Sequence, residues 1–270
     1  MRTGIVLYGF KLTFQSVIDI GGAALLIDAV VVAFTILLGA GLGRLLKMDR
    51  DTALLTSIGS SICGAAAVLG AEPVVKSQPY KAAVAVSTVV IFGTLSMFLY
   101  PALFRAGMLD LTTEQMGLFT GATLHEVAHV VGAGNAMGQA ISDPAIIVKM
   151  IRVMMLAPVL VILSIILSRR EAAAGQTGQK RKITIPWFAF LFLAVIGFNS
   201  LHLLPSGVVS AINSLDTFLL TMAMTALGAE SSFEKFKKAG ARPFLLAALL
   251  YAWLFFGGYW LVKGMTAWMA

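Results

Sequence analysis

The sequence predicts an all-α, polytopic membrane protein, and two observations support that prediction. Of the 270 residues, 59% are apolar and 12% are charged, and the mean hydropathy is +0.90, far from the composition of soluble domains. Several apolar runs also reach the length of about 20 helical residues that a ~30 Å hydrocarbon layer requires. We place these spans at 22–43, 81–104, 144–168, 184–204, 207–228 and 243–263.

Charge and cysteine content narrow the class further. The net charge of +7 could suggest nucleic acid, but the basic residues lie in short loops between apolar runs, so no nucleic-acid partner is expected. Cys63 is the only cysteine, which excludes an intrachain disulfide and a cysteine-rich metal site. The first 20 residues, interrupted by Lys11 and Asp19, lack the pattern of a cleavable signal and are expected to form a helix end and an interfacial segment.

The basic loops predict the orientation in the lipid bilayer of a bacterial inner membrane. The positive-inside rule assigns the loops richest in lysine and arginine to the cytoplasm, namely 44–51, 169–182 and 230–242. Loops with few basic residues should face outward, namely 105–114, 134–143 and 201–207.

Two further stretches, 52–80 and 114–142, have both flanks on one side of the membrane. Lys76 and Lys81 assign the end of the first stretch to the cytoplasm, where it also begins. A segment that starts and ends on one side cannot cross, so each should enter the membrane and return. Each has about 29 residues, enough for two half-helices of about 10–12 residues. The sequence therefore predicts two re-entrant helical hairpins.

The two stretches also resemble each other at an offset of 62 residues. Residues 59–71 align with 121–133 with five identities in thirteen positions, all of them Gly, Ala or Val. The loop charges place the two copies on opposite sides of the membrane. Re-entrant hairpins of opposite topology are typical of secondary transporters built from inverted repeats.

Hairpin tips at membrane depth predict a binding site. Non-helical backbone is tolerated there only where protein or water satisfies its polar groups, and half-helix N-termini favour anions. Glycines at the tips permit tight turns, and hydroxyls can donate to a ligand. The predicted tip residues are Ser60, Ser61, Cys63, Gly64, Thr123, His125 and Glu126. The alternative is that these small residues only allow close helix packing.

Lys149 and Arg152 lie three residues apart, on one face of the span 144–168. Charges inside the bilayer normally face a partner or an aqueous cavity, so this pair favours an anionic substrate. The alternative is that the side chains extend to the outer interface. Asp28, Glu126 and Asp216 are candidates for H⁺ or Na⁺ coupling, although Asp28 and Asp216 could equally be solvated at helix ends.

Residues 125–129 spell H-E-V-A-H, a pattern of zinc metalloproteases in which both histidines bind the metal from one helix. A third ligand in a suitable context is lacking, and His129 aligns with Ala67 in the other copy of the repeat. We therefore expect no metal, no cofactor and no enzymatic activity. An intramembrane zinc metalloprotease remains the alternative.

Particular segments resemble a known family over essentially the whole chain. Ser61-Ile62-Cys63-Gly64-Ala65 and His125-Glu126-Val127-Ala128 are similar to motifs of the YeiH-type sulfate exporter family, as are residues 2–10, 92–101 and 217–224. The resemblance implies transport of sulfate or a sulfonate-like anion. The family position of His129 is commonly glutamine. Members are usually longer by several N-terminal helices, so this chain is expected to begin inside the family domain.

Together these observations predict a single transporter domain over residues 1–270. We expect secondary-active transport of a small inorganic or organic anion by alternating access, with the site between two hairpin tips. H⁺ coupling through His125 or Glu126, Na⁺ coupling and a homodimer remain open. A non-transporting membrane sensor or scaffold is the second alternative.

Overall fold

The computed structural model describes residues 2–11, 13–15, 22–173, 187–230 and 240–269, and its regular elements are helices. They are α1 (Arg2–Leu7), α2 (Gly22–Leu45), α3 (Arg50–Ser61), α4 (Ala65–Val75), α5 (Pro79–Arg105), α6 (Thr113–Thr123), α7 (Val127–Met137), α8 (Gln139–Met154), α9 (Leu156–Ala173), α10 (Trp187–Ser200), α11 (Ser206–Glu230), α12 (Arg242–Ala252) and α13 (Gly258–Met269). A 3₁₀ turn, Tyr8–Lys11, follows α1, and a π turn, Trp253–Gly257, joins α12 to α13.

Four helical stretches of the described chain are long and apolar enough to cross a membrane. They are Ala24–Leu45, Pro79–Arg105, Gln139–Arg169 and Arg242–Ala267. Large apolar side chains remain on the outer surface, as a hydrocarbon environment requires; Leu37 is 70% exposed and Phe98 67%. The prediction of an all-α, polytopic membrane protein is confirmed.

The other two predicted spans correspond to shorter or differently bounded helices. Helix α10 has 14 residues, and residues 184–186 of its predicted span lie outside the described residues. Helix α11 has 25 residues and covers the predicted span 207–228. Residues 174–182 and 231–239 of the predicted cytoplasmic loops also lie outside the described residues, as does Asp19.

Local sequence explains where α3 and α6 begin. Asp49 precedes α3, and its Oδ2 accepts a hydrogen bond from the backbone N–H of Thr52 at 3.0 Å, the usual function of an N-cap aspartate. Thr112 and Gln115 form a reciprocal capping box at the start of α6. Lys81 of α5 pairs with Asp49 at 2.9 Å, so the start of α3 is tied to the start of α5.

The interior contains two main apolar clusters. One surrounds the junction of α3 and α4 and includes Leu55, Ile58 and Val68. The other surrounds the junction of α6 and α7 and includes Tyr100, Phe119 and Val148. Both helix junctions are therefore enclosed by packed side chains.

Candidate functional site

Two short interruptions of helical structure form the centre of the molecule. The first break is Ile62, Cys63 and Gly64, between α3 and α4; the second break is Leu124, His125 and Glu126, between α6 and α7. Helices α3 and α6 end at Ser61 and Thr123, and α4 and α7 begin at Ala65 and Val127. Both edges of the breaks are thus offset by the same 62 residues as the sequence repeat.

Gly64 gives the first break its shape. Its φ of +75° and ψ of −132° are open to glycine and strained for residues with a Cβ. A Cβ there would lie 2.4 Å from Cγ of Glu126 and 2.9 Å from Cγ1 of Val89. The missing side chain of Gly64 therefore makes room for a residue of the second break.

The breaks contact each other directly through Glu126. Its Oε1 accepts a hydrogen bond from the backbone N–H of Ala65, the first residue of α4, at 3.1 Å. A carboxylate at this position satisfies one free N–H of the half-helix and matches its partial positive charge. The second break therefore caps the helix that starts at the first.

Lys149 of α8 joins the breaks from the other side. Its side chain is fully buried, and Nζ donates to the carbonyl oxygens of Ile62 at 2.7 Å and Leu124 at 2.6 Å. These carbonyls follow the C-terminal ends of α3 and α6, which carry partial negative charge. The alternative that Lys149 extends to the membrane interface is wrong, because its ammonium lies in the interior.

Arg152, one turn further along α8, forms a buried ion pair with Asp28 of α2. Arg152 Nε and Nη2 donate to Asp28 Oδ1 at 2.9 and 2.7 Å, and both side chains have no exposed surface. The alternative that Asp28 is solvated at a helix end is therefore wrong. Asp216 is likewise buried, and Lys11 Nζ lies 3.1 Å from its Oδ2. Because Asp28 neutralises it, Arg152 presents no isolated positive charge.

The predicted hydroxyl and imidazole residues fall into two groups. Ser61 Oγ donates to Ile58 O at 3.0 Å, and Thr123 Oγ1 donates to Phe119 O at 2.6 Å, so both are satisfied within their own helices. Ser60 Oγ and His125 Nδ1 are buried, with no hydrogen-bond partner among the described residues. Buried polar atoms are normally paired, so Ser60 and His125 have bonding capacity left for a ligand.

Helix α5 contributes residues that sequence reasoning did not place in the site. Val89 lies against Gly64, and Gly93 lies against the ring of His129. Tyr100 stacks on Phe119 with ring centroids 4.8 Å apart, and its hydroxyl is 2.9 Å from Thr123 Oγ1. A tyrosine hydroxyl inside an apolar span was the only available signal, because Val89 and Gly93 are ordinary residues of such spans.

The H-E-V-A-H segment does not lie on one helix. His125 belongs to the second break, whereas His129 is the third residue of α7. A zinc protease of this motif needs both histidines on one helical face. Over the described ranges, no three His, Cys, Asp or Glu side chains are grouped as metal ligands.

Apolar outer surfaces, spanning helices and buried ion pairs around two helix breaks define a polytopic membrane protein with its polar groups in its interior. The chain belongs to the UPF0324 membrane protein family: the family described as conserved hypothetical protein 698 matches residues 1–247. The predicted kinship with the YeiH-type family is confirmed.

Three relatives illustrate the match. A UPF0324 membrane protein of Bacteroides thetaiotaomicron is 65% identical over 270 residues, all of this chain and 80% of the relative. A UPF0324 membrane protein of Pseudomonas aeruginosa is 52% identical, over 97% of this chain and 76% of the relative. The UPF0324 inner membrane protein YeiH of Escherichia coli K12 is 49% identical, over 96% of this chain and 74% of the relative.

No solved structure matches the chain significantly. The names of the three relatives state a membrane protein and no activity. With its spanning helices and its kinship to YeiH, the protein is an inner membrane protein.

Proposed function

We propose that this protein is a secondary-active transporter of a small inorganic or organic anion, of the sulfate or sulfonate class, that works by alternating access. The observation that carries the proposal is that two helix breaks meet in the protein interior and leave one half-helix N-terminus without a side-chain cap. Broken helices of this kind form the substrate and ion sites of many secondary transporters.

Contacts along α5 support a first re-entrant hairpin at about 52–80. Asp49, just before α3, is held by Lys81 near the start of α5. Helix α4 ends at Val75, four residues before Pro79 starts α5. The first break, in between, lies against Val89. Both ends of the segment are thus near the start of α5, and its middle is more than two turns further along.

The same reasoning supports a second hairpin at about 114–142, entering from the opposite end of α5. Arg105, the last residue of α5, donates to the carbonyl oxygen of Ala136 near the end of α7 at 2.7 Å. In between, His129 lies against Gly93, four residues from Val89. Opposite entry and an equal offset of the helix ends favour an inverted repeat.

The charges at the four half-helix ends favour an anion. Lys149 faces the C-terminal ends of α3 and α6, and Glu126 faces the N-terminus of α4. The N-terminus of α7 has no side-chain cap within the described chain, and Ala128 in its first turn is exposed. Free N–H groups with partial positive charge suit an oxyanion.

The predicted tip residues supply further ligand contacts in this proposal. Those expected to surround the anion are Ser60, Ser61, Cys63, Gly64, Thr123, His125 and Glu126. Lys149 and Arg152 have partners inside the protein, so we expect them to hold the breaks in place rather than to contact the anion.

The direct test measures anion binding and then transport. Thermal stability of the purified protein is measured in sulfate, thiosulfate, sulfite and ethanesulfonate, against chloride at equal ionic strength. We expect a saturable increase in Tm with at least one oxyanion, and uptake of that anion into proteoliposomes. His125→Ala should abolish both effects, whereas Lys263→Ala, on an exposed pair far from the breaks, should preserve them. If no oxyanion changes Tm and none is taken up, the proposal is wrong.

A non-transporting sensor or scaffold is the second candidate, favoured by the dense packing of the first break. Cys63 is only 5% exposed. A transporter must open this region to water during its cycle, so thiol reagents should label Cys63 slowly and the transported anion should change the rate. A Cys63 that never reacts in folded protein, with or without anions, would favour the scaffold.

A further inference from the structure

The ammonium of Lys149 occupies an unusual position between two main-chain carbonyls. Ile62 and Leu124 belong to different breaks, 62 residues apart, and each directs its carbonyl oxygen at the same Nζ, at 2.7 and 2.6 Å. Distances this short are typical of charge-assisted hydrogen bonds. Lys149 has no exposed surface, so water does not compete for the two oxygens.

Carbonyl oxygens at the ends of broken helices are also what a bound Na⁺ uses in transporters of this architecture. Two half-helix C-termini contribute together about one unit of negative charge. A single positive charge between them matches that value, whether a lysine or a monovalent ion supplies it. The lysine is covalently attached, so the positive charge cannot leave during a transport cycle.

We propose that the Lys149 ammonium is a tethered cation that permanently takes the position of a coupling Na⁺ between the two breaks. The protein therefore needs no bound Na⁺, and Lys149→Ala acquires a site for small monovalent cations. As a statement about coupling, this rests on the proposed transport function. As a statement about a cation site, it is independent of transport.

A simpler role for Lys149 is that of a neutral hydrogen-bond donor that closes the two helix ends. The two roles differ in which variants restore stability. Lys149→Gln retains N–H donors without charge. Lys149→Met fills the space of the side chain and leaves no room for an ion. Lys149→Ala removes both the donor and the volume, which opens a space lined by the carbonyls of Ile62 and Leu124.

The experiment compares Tm of these purified variants in NaCl, propylammonium chloride and choline chloride at equal ionic strength. We expect wild type to have one Tm in all three salts. Lys149→Ala should be destabilised, and Na⁺ or propylammonium should raise its Tm by about 2–4 °C over choline, the shift for roughly a fivefold excess of ligand over its Kd. Lys149→Met should not respond, because methionine occupies the space.

Three outcomes would overturn the inference. One is a saturable stabilisation of wild type by Na⁺, which needs no variant to fold. Another is a Lys149→Ala protein that folds and ignores both cations. The third is a Lys149→Gln protein as stable as wild type, which would assign Lys149 a neutral role.

Transport assays separate this inference from the proposed function. If an oxyanion is transported and uptake requires a Na⁺ gradient, the tethered-cation inference fails and the transporter stands. If no anion is transported but propylammonium rescues Lys149→Ala, the cation site stands and the proposed function fails.

Discussion

Glu126, at the start of α7, reaches across to the start of α4, where its Oε1 accepts a hydrogen bond from the backbone N–H of Ala65 at 3.1 Å. Helix N-termini are usually capped by a residue that immediately precedes them in sequence. Here the capping group lies 61 residues further along the chain. The two breaks are therefore one structural unit, and a change in either should affect the other.

Gly64→Ala tests the contact between the breaks. The backbone strain at positive φ costs about 1–3 kcal/mol, and the new Cβ would collide with Cγ of Glu126 at 2.4 Å. Gly107→Ala is the matched control, with φ of +67° and nothing within 4 Å of the added atom. Thermal unfolding should show a larger loss for Gly64→Ala. Equal losses for the two variants would contradict the close packing of Glu126 on Gly64.

The buried Asp28–Arg152 pair should be necessary for stability. Removing one partner of such a pair typically costs about 3–5 kcal/mol, because the other charge stays buried without compensation. We expect Asp28→Asn and Arg152→Met each to lower Tm strongly, and the double variant to lose less than the sum. Asp110→Asn, in the exposed pair with Lys263, should leave Tm unchanged. Additive losses would mean that the two residues do not interact.

Proton coupling through the second break predicts a specific change in pH dependence. His125 is buried at the break, and Glu126 is its neighbour. If either carries the coupling proton, the pH dependence of anion uptake should disappear in His125→Gln or Glu126→Gln. His202→Asn, in an exposed turn, should keep the wild-type profile. An unchanged profile in both break variants would exclude this coupling route.

Asp49 should stabilise the protein in a pH-dependent way. Partial burial tends to raise the pKa of Asp49, but hydrogen bonds from Lys81 and Thr52 outweigh it and hold the pKa below its usual value. A lowered folded-state pKa means stabilisation that is complete above the unfolded-state pKa and lost as pH falls through the folded-state pKa. Asp49→Ala, which also removes the α3 cap, should cost about 0.5–2 kcal/mol near neutral pH. The Tm curves of variant and wild type should converge in acid; a constant gap would contradict the pKa argument.

Metal analysis separates the transporter from the zinc metalloprotease. Because His125 lies in the break and His129 in α7, we expect purified protein to contain no stoichiometric zinc. Chelator treatment should leave Tm unchanged. About one tightly bound zinc per chain, lost in His129→Ala, would instead favour the protease.

Sequence reasoning located the breaks but missed most of what holds them. Loop charges and the repeat pointed to 59–71 and 121–133, and both breaks fall inside these ranges. The partners of Lys149 were not predictable, because they are main-chain carbonyls, which every residue carries. Asp28 was recognised as an intramembrane carboxylate, yet its partner Arg152 lies 124 residues away, and nothing in the sequence alone links the two.

Membrane class, spanning helices and the positions of the breaks followed from the order of residues along the chain, because hydropathy, loop charge and glycine content are local properties. Which charges neutralise one another depended on packing. Lys149 could have pointed to the membrane interface and Asp28 to water, and the local sequence permits both. Burial in a medium of low dielectric decides against those arrangements, because each charge there requires a partner. The folded chain supplies them from distant segments: Asp28 for Arg152, and two backbone carbonyls for Lys149.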